Sequence, residues 1–239
     1  MQVVDRSNKA HHGDRVLGID EAGRGPIVGP MVMAAVALQP RASAALTRAG
    51  VADSKAFAGP DAHELRTALV PRILELADHV AIRVLDVHTI DDACADNGLN
   101  RLEQRTAAHM IDHAPPCRRI VCDGARLFSP LIPRFPMLEA RDGGEAVHVA
   151  VAAASIIAKV RRDELFGTIW RRYAALCELP ELPRGGGYVN EATRRFLRVV
   201  ITRTGRLPPE GRHSWPWTFA HDLLPHLAVV VSAQAELEL

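Results

Sequence analysis

Gly18-Ile19-Asp20-Glu21-Ala22-Gly23-Arg24-Gly25-Pro26 is the stretch on which the fold turns. Residues 16–20 are a short apolar run that ends on a carboxylate, and a glycine-rich turn follows at once. Residues 31–38, rich in valine and small side chains, read as a buried second strand. The run from Gly23 to Gly29 resembles a dinucleotide fingerprint only superficially. That motif needs glycines opening a helix, so that pyrophosphate meets backbone N–H groups. Here two acids precede the glycines, Pro26 lacks an N–H, and a strand follows. A nicotinamide-dependent oxidoreductase is therefore a distant reading.

Further along, 61–77 has helical periodicity, with Leu65, Leu69 and Ile73 four residues apart and Pro71 expected to kink or divide it. Residues 80–87 read as a strand and 100–113 as a helix with Leu102, Thr106 and Met110 in register. Residues 119–123 form another short strand, ending on Asp123 and followed by Gly124. A strand is expected over 135–140, closed by Asp142-Gly143-Gly144. A long helix is expected over 155–176 with Ser155 as its N-cap, and a second from Asn190 to Gly205. This order predicts a mixed α/β sheet with a helical C-terminal extension.

Two strands thus end on carboxylates, at Asp20-Glu21 and at Asp123. Strand ends of an α/β sheet are where loops converge on a ligand. Acids gathered from separate strands repel one another unless a cation sits between them, and a hard ion such as Mg²⁺ takes oxygen ligands.

The chain has 239 residues and 26.0 kDa, enough for a sizeable core, and its 48% apolar and 24% charged residues are those of an ordinary globular protein. The longest apolar candidate, 27–38, is broken by Gly29 and Pro30, and no run nears the ~18 residues of a membrane helix. The polar start, with His11 and His12 where a secretory signal needs its apolar stretch, leads to the expectation of no export signal. Cys94, Cys117, Cys122 and Cys177 form no Cys-x-x-Cys pair, which excludes a zinc ribbon or disulfide scaffold and fits a reducing cytosol. The net charge of +1 conceals a polarity. Residues 155–212 carry twelve Lys or Arg against six Asp or Glu, which leaves −5 for the remainder. Such a split marks either a basic face for a polyanion or solvated arginine-rich helices. Only three of the 29 basic residues are lysines, Lys9, Lys55 and Lys159. Lysine is a compact point charge that arginine does not replace at a tight site, so Lys55 and Lys159 invite specific roles.

The segments 18–26, Asp53-Ser54-Lys55, Val121-Cys122-Asp123-Gly124 and Ala153-Ala154-Ser155-Ile156-Ile157-Ala158-Lys159-Val160, with Arg162-Asp163, resemble ribonuclease HII in order and spacing. The resemblance continues through Gly187-Tyr188 and Arg212-His213-Ser214-Trp215, whose form is similar to the archaeal and eukaryotic type. It implies a ribonuclease-H-like fold, a mixed five-stranded sheet with flanking helices. The implied organisation is a flexible N-terminus over 1–15, a catalytic domain over 16–180 and a substrate-binding extension over 181–239.

The resemblance also implies an endonuclease using Mg²⁺ or Mn²⁺ that cuts the RNA strand of RNA–DNA hybrids. It would incise at single ribonucleotides in duplex DNA as well, by two-metal-ion hydrolysis leaving 5′-phosphate and 3′-hydroxyl ends. Asp20, Glu21 and Asp123 match three of the family's four metal-binding carboxylates. The fourth, an aspartate, is matched by Glu145, one methylene longer, with Asp142 as the alternative. Gly23-Arg24-Gly25 matches the element that senses the ribonucleotide 2′-OH, and Tyr188 the tyrosine that stacks on the sugar beyond the RNA–DNA junction. Ser54, Lys55 and Lys159 would contact substrate, the lysines through phosphates. Asp163, four residues from Lys159, is expected to orient it. Arg212 and its neighbours either dock the extension or touch nucleic-acid backbone. The implied protein is cytoplasmic and monomeric. The competing readings are a hybrid-binding module with impaired catalysis and another metal nuclease of the same fold.

Overall fold

The strand 31–38 expected from the sequence is buried on both faces along its length, and the whole architecture is arranged around it. The computed structural model describes residues 2–5, 14–51, 61–177 and 186–215, so Ser54 and Lys55 lie outside the described residues. In chain order the strands are β1 (Gln2–Asp5), β2 (Val16–Ala22), β3 (Met31–Leu38), β4 (His79–Leu85), β5 (Arg119–Asp123) and β6 (Leu138–Arg141). The helices are α1 (Pro40–Arg48), α2 (Ala62–Leu76), α3 (Val87–Ala95), α4 (Leu99–Asp112), α5 (Ala125–Phe128), α6 (Val149–Cys177) and α7 (Glu191–Thr204).

The sheet order is β1-β4-β3-β2-β5-β6. The strands β2, β3 and β4 form an antiparallel meander, while β5 runs parallel to β2 and β6 parallel to β5. The expected mixed five-stranded sheet is thus β2 to β6. The sixth strand, β1, adds antiparallel to β4 from the N-terminal stretch that the resemblance implied to be flexible.

Alternation along β3 assigns its two faces. Val32, Ala34, Val36 and Leu38 pack with residues of α1, α2 and α6, whereas Met33, Ala35 and Ala37 pack with Ala107, Ala108, Met110 and Ile111 of α4. The alanines of α6 allow it to press on the sheet. A Cβ on Gly18 would lie 2.1 Å from the Ala150 carbonyl carbon and 2.3 Å from the Val151 nitrogen. Gly18→Ala must therefore push β2 and α6 apart. We expect a loss of about 3 kcal/mol or more, read as a lowered denaturation midpoint, because both obstructing groups are backbone.

Several boundaries differ from the sequence reading. The long helix starts at Val149, not Ser155, because the alanine-rich segment before Ser155 is itself strongly helix-forming. Pro71 lies inside α2 without dividing it. Strand β6 starts at Leu138, since the chain approaches it through turns that bury Phe135. The short helices α1 and α3 were not foreseen, although Pro40 in the first turn and the Asp86 side chain accepting from the Thr89 amide are ordinary start signals. The last helix conforms: Asn190 caps it by accepting from the Thr193 amide, and Gly205 ends it at φ 69°.

A third apolar cluster fixes α7 to the second half of α6. Phe196 stacks on Trp170 at 5.1 Å and meets Tyr173 edge-on at 5.7 Å. Ile27 and Val28, from the loop after the glycine turn, join the same cluster. The glycine turn is thereby wedged between the sheet and the C-terminal helices.

Candidate active site

Parallel pairing of β2 with β5, with Ile19 opposite Cys122, brings the next residues side by side. Asp123 is the last residue of β5, and Asp20 stands two residues before the end of β2, which runs past the expected stop at Asp20 to Ala22. Adjacent strands lie about 4.8 Å apart, so the two carboxylates are neighbours by construction. Asp20 is 4% exposed and accepts a hydrogen bond from the Glu21 amide at 2.8 Å. Asp123 accepts from the Gly144 amide at 2.9 Å, which brings the 3₁₀ turn Gly144–Ala146, and with it Glu145, to the same strand ends.

The charges strain against one another. Burial, then the Glu21 and Asp123 carboxylates, push Asp20 up to about 8. Burial, then Glu103 and Asp123, push Glu21 up to about 7. Glu103 was not foreseen. It projects from α4, is fully buried, and is raised to about 7 by burial in spite of its ion pair with Arg24. One oxygen on Glu21 and one on Glu103 are buried without a hydrogen-bond partner.

Glu145 has a different environment. Its carboxylate accepts from the Ser155 hydroxyl at 2.8 Å and from the Lys159 ammonium at 3.1 Å. Two expectations need correction here. Ser155 is not an N-cap but a mid-helix donor to Glu145. Asp163 does not orient Lys159; it faces α2, hydrogen-bonded to His63 at 3.1 Å and ion-paired with Arg66 at 3.6 Å. Asp142, the alternative to Glu145, accepts from the Ala125 amide at 2.7 Å and so caps α5.

Surplus buried negative charge and unpartnered carboxylate oxygens suit a hard divalent cation. Among the described residues no three acidic, histidine or cysteine side chains already close into a ligand set. Mg²⁺ keeps several waters and commonly uses one or two carboxylates together with substrate phosphate.

Beside the acids, Gly23-Arg24-Gly25 is clamped from three sides. Gly23 has φ +88°, and a Cβ there would meet the Pro30 carbonyl at 2.9 Å. Arg212, fully buried, donates to the carbonyls of Gly23, Arg24 (2.9 Å) and Gly29 (3.0 Å). Trp215 lies over its guanidinium at 4.7 Å and donates from the indole N–H to the Gly25 carbonyl at 3.2 Å. The Arg24 side chain pairs with Glu103 and donates to Asn100 at 2.6 Å. Of the two roles considered for Arg212, the structure supports docking.

Tyr188 is 45% exposed and borders this turn, its ring 3.6 Å from where a Gly25 Cβ would stand. The Gly187 carbonyl before it accepts from the Ile27 amide at 2.9 Å. Buried Arg162 donates to the Val28 carbonyl at 2.9 Å and lies 5.7 Å from the Tyr188 ring centroid. Part of the basic run is therefore buried or already paired within the fold. Arg162 and Arg212 hold backbone, Arg161 pairs with Glu164, and Arg172 pairs with Glu210.

Comparison with known proteins agrees with this arrangement. The profile of the family Ribonuclease HII matches residues 17–218. A ribonuclease HII of Pyrobaculum islandicum is 36% identical over 207 residues, 84% of this chain and 95% of that one. The crystal structure of the ribonuclease H2 from Pyrococcus horikoshii superposes with a TM-score of 0.72 at 26% identity, over 87% of this chain and 96% of that one. The ribonuclease HII of Archaeoglobus fulgidus, solved as a complex with PCNA, gives the same TM-score, identity and coverage.

Proposed function

The chain belongs to the ribonuclease HII family and is a ribonuclease H enzyme, and from that premise we propose that it cuts the RNA strand of RNA–DNA hybrids and incises at single ribonucleotides in duplex DNA. The observation that carries this reading is the meeting of the acidic ends of β2 and β5 with a glycine turn whose carbonyls are pinned by a buried arginine. Asp20, Glu21 and Asp123 would hold Mg²⁺ or Mn²⁺, with Glu145 at the border of the site. Divalent ions bound there supply Lewis-acid chemistry, lowering the pKa of water and stabilising the leaving oxygen in the two-metal scheme. Products would carry 5′-phosphate and 3′-hydroxyl ends.

The chain's own residues do the remaining work. Ser155 and Lys159 hold the Glu145 carboxylate in one orientation. Gly23, Arg24 and Gly25 present backbone to the minor groove, where the 2′-OH is both donor and acceptor and distinguishes RNA from DNA. Tyr188 offers an aromatic face to the sugar beyond the junction, which a 2′-OH would crowd. Ser54 and Lys55 would contact the substrate backbone, which positions the duplex without reading its sequence. We take residues 16–180 as the catalytic unit and 181–239 as the substrate-binding extension. The enzyme acts as a monomer in the cytoplasm on this reading, and no helix among the described residues is long and apolar enough to cross a membrane.

The test is cleavage of a DNA duplex containing one ribonucleotide, with Mg²⁺ or Mn²⁺ and with a chelator. Chelator-sensitive incision beside the ribonucleotide is expected; no incision, or equal incision of an all-DNA duplex, would refute the proposal. Tyr188→Ala is expected to slow incision at a single ribonucleotide by roughly tenfold, the ~1–3 kcal/mol of one aromatic stacking contact. Cleavage of a long hybrid should fall less. An equal loss on both substrates would make Tyr188 structural.

A further inference from the structure

A cleft of about 450 Å³ opens on the face of the sheet opposite α6, between α4 and the segment that follows α5. Along one wall Arg101, Arg105 and His109 stand at four-residue spacing. They form a single stripe on α4, each step advancing about 6 Å along the axis. Arg134 and Leu131 line the other wall. The charge in the cleft is unbalanced. Arg134 pairs with Asp112 at 2.8 Å, and Arg101 donates to the Asp96 carbonyl at 3.0 Å. Among the described residues neither Arg101 nor Arg105 has an acidic partner. His109 is hydrogen-bonded to Arg83 and stacks on His113 at 4.0 Å, so further basic groups adjoin the stripe. Burial, then Arg83 and His113 beside it, hold its pKa below the usual histidine range.

The cleft and the acidic centre share helix α4. The N-terminal half of α4 carries Asn100 and Glu103, which hold Arg24. The opposite wall descends from Asp123 through Gly124 and α5. Gln104 ties the two walls by donating to the Leu127 carbonyl at 2.7 Å. The N-terminal half of α4, where Arg101 and Arg105 stand, therefore lies next to the acidic centre.

We propose that this arginine-lined cleft seats the phosphate backbone of the nucleic acid leading away from the cleavage point. It is a second contact track, distinct from the glycine turn and Tyr188. The proposal rests on the nuclease reading above and extends its footprint. Its contacts are to phosphate, so they add affinity and salt dependence but no base preference.

The experiment is the salt dependence of binding to a long RNA–DNA hybrid, followed by fluorescence anisotropy in chelator so that nothing is cleaved. Each phosphate contact contributes about 0.9 to the slope of log K against log salt. The double variant Arg101→Ala/Arg105→Ala should shallow that slope by about 2, and Arg101→Lys/Arg105→Lys should restore it. Arg41→Ala/Arg48→Ala, which removes the same charge from α1 on the other face of the sheet, should leave the slope unchanged. Arg105→Ala alone should shallow it by about 1 and bypasses any effect of losing the Arg101 bond to Asp96. A double variant with the wild-type slope, or an α1 control with the same loss, overturns the proposal. Metal-dependent cleavage by the unmodified protein is measured alongside. Its absence would bring down the nuclease reading, whereas normal cleavage with an unmoved slope brings down the cleft alone.

Discussion

Asp20→Asn is expected to lower cleavage by roughly 10³-fold, the scale of losing a preorganised electrostatic contact in a water-poor site, while making the metal-free protein more stable. The two effects have one origin. Asp20 is buried against Glu21 and Asp123, and its pKa rises from 3.8 to about 8. Between those values the folded protein holds a proton that the unfolded chain has released, so stability declines as pH rises through the window. Asparagine does not titrate. The variant's advantage in Tm should therefore be small near pH 4, grow across the interval and be largest above about pH 8. Mg²⁺ should reverse the order at high pH, because ligand binding stabilises the protein that binds it. Thermal melts at three pH values, with and without Mg²⁺, check the sign. A variant that is less stable at every pH, or that cleaves normally, contradicts the assignment.

Arg212→Met carries the second large effect, in the opposite direction on stability. It leaves the carbonyls of Gly23, Arg24 and Gly29 buried without their donor. Each unsatisfied group costs about 1–3 kcal/mol, and a non-additive total of about 4 kcal/mol is expected in chemical denaturation. Arg212→Lys should recover only part of it. An ammonium donates from one point, whereas the guanidinium spreads its donors over three carbonyls on separate residues. The lysine variant separates folding from recognition. In the folded fraction, incision at a single ribonucleotide should fall at least about tenfold, the ~1.4 kcal/mol of one misplaced contact, and more than cleavage of a long hybrid. Full retention of incision by Arg212→Lys would show that the turn does not need its clamp.

Legibility in the sequence followed locality. The acids at Asp20-Glu21 and Asp123 stood out because each closes a short apolar run and is followed by glycine within three residues, a pattern contained in a few residues. The same holds for the last helix, whose cap and stop are both local. What failed depended on residues far apart in the chain. Lys159 had an obvious partner four residues away in Asp163, yet it pairs with Glu145, fourteen residues back, because the 3₁₀ turn is held against Asp123. Glu103 looked like any helix acid; only the fold shows that it is buried beneath Arg24. Arg162 and Arg212 were counted in a basic run suggestive of a polyanion face, and both instead donate to buried carbonyls. A charge count cannot distinguish an arginine facing solvent from one holding a loop.

The most direct measurement is anomalous diffraction at the manganese edge from crystals grown with Mn²⁺ and a duplex bearing one ribonucleotide. Manganese seated between Asp20 and Asp123, with the ribonucleotide's 2′-OH against Gly23-Arg24-Gly25, is the predicted result. Manganese bound elsewhere, with those two carboxylates contacting no ion while the duplex occupies the site, would contradict it.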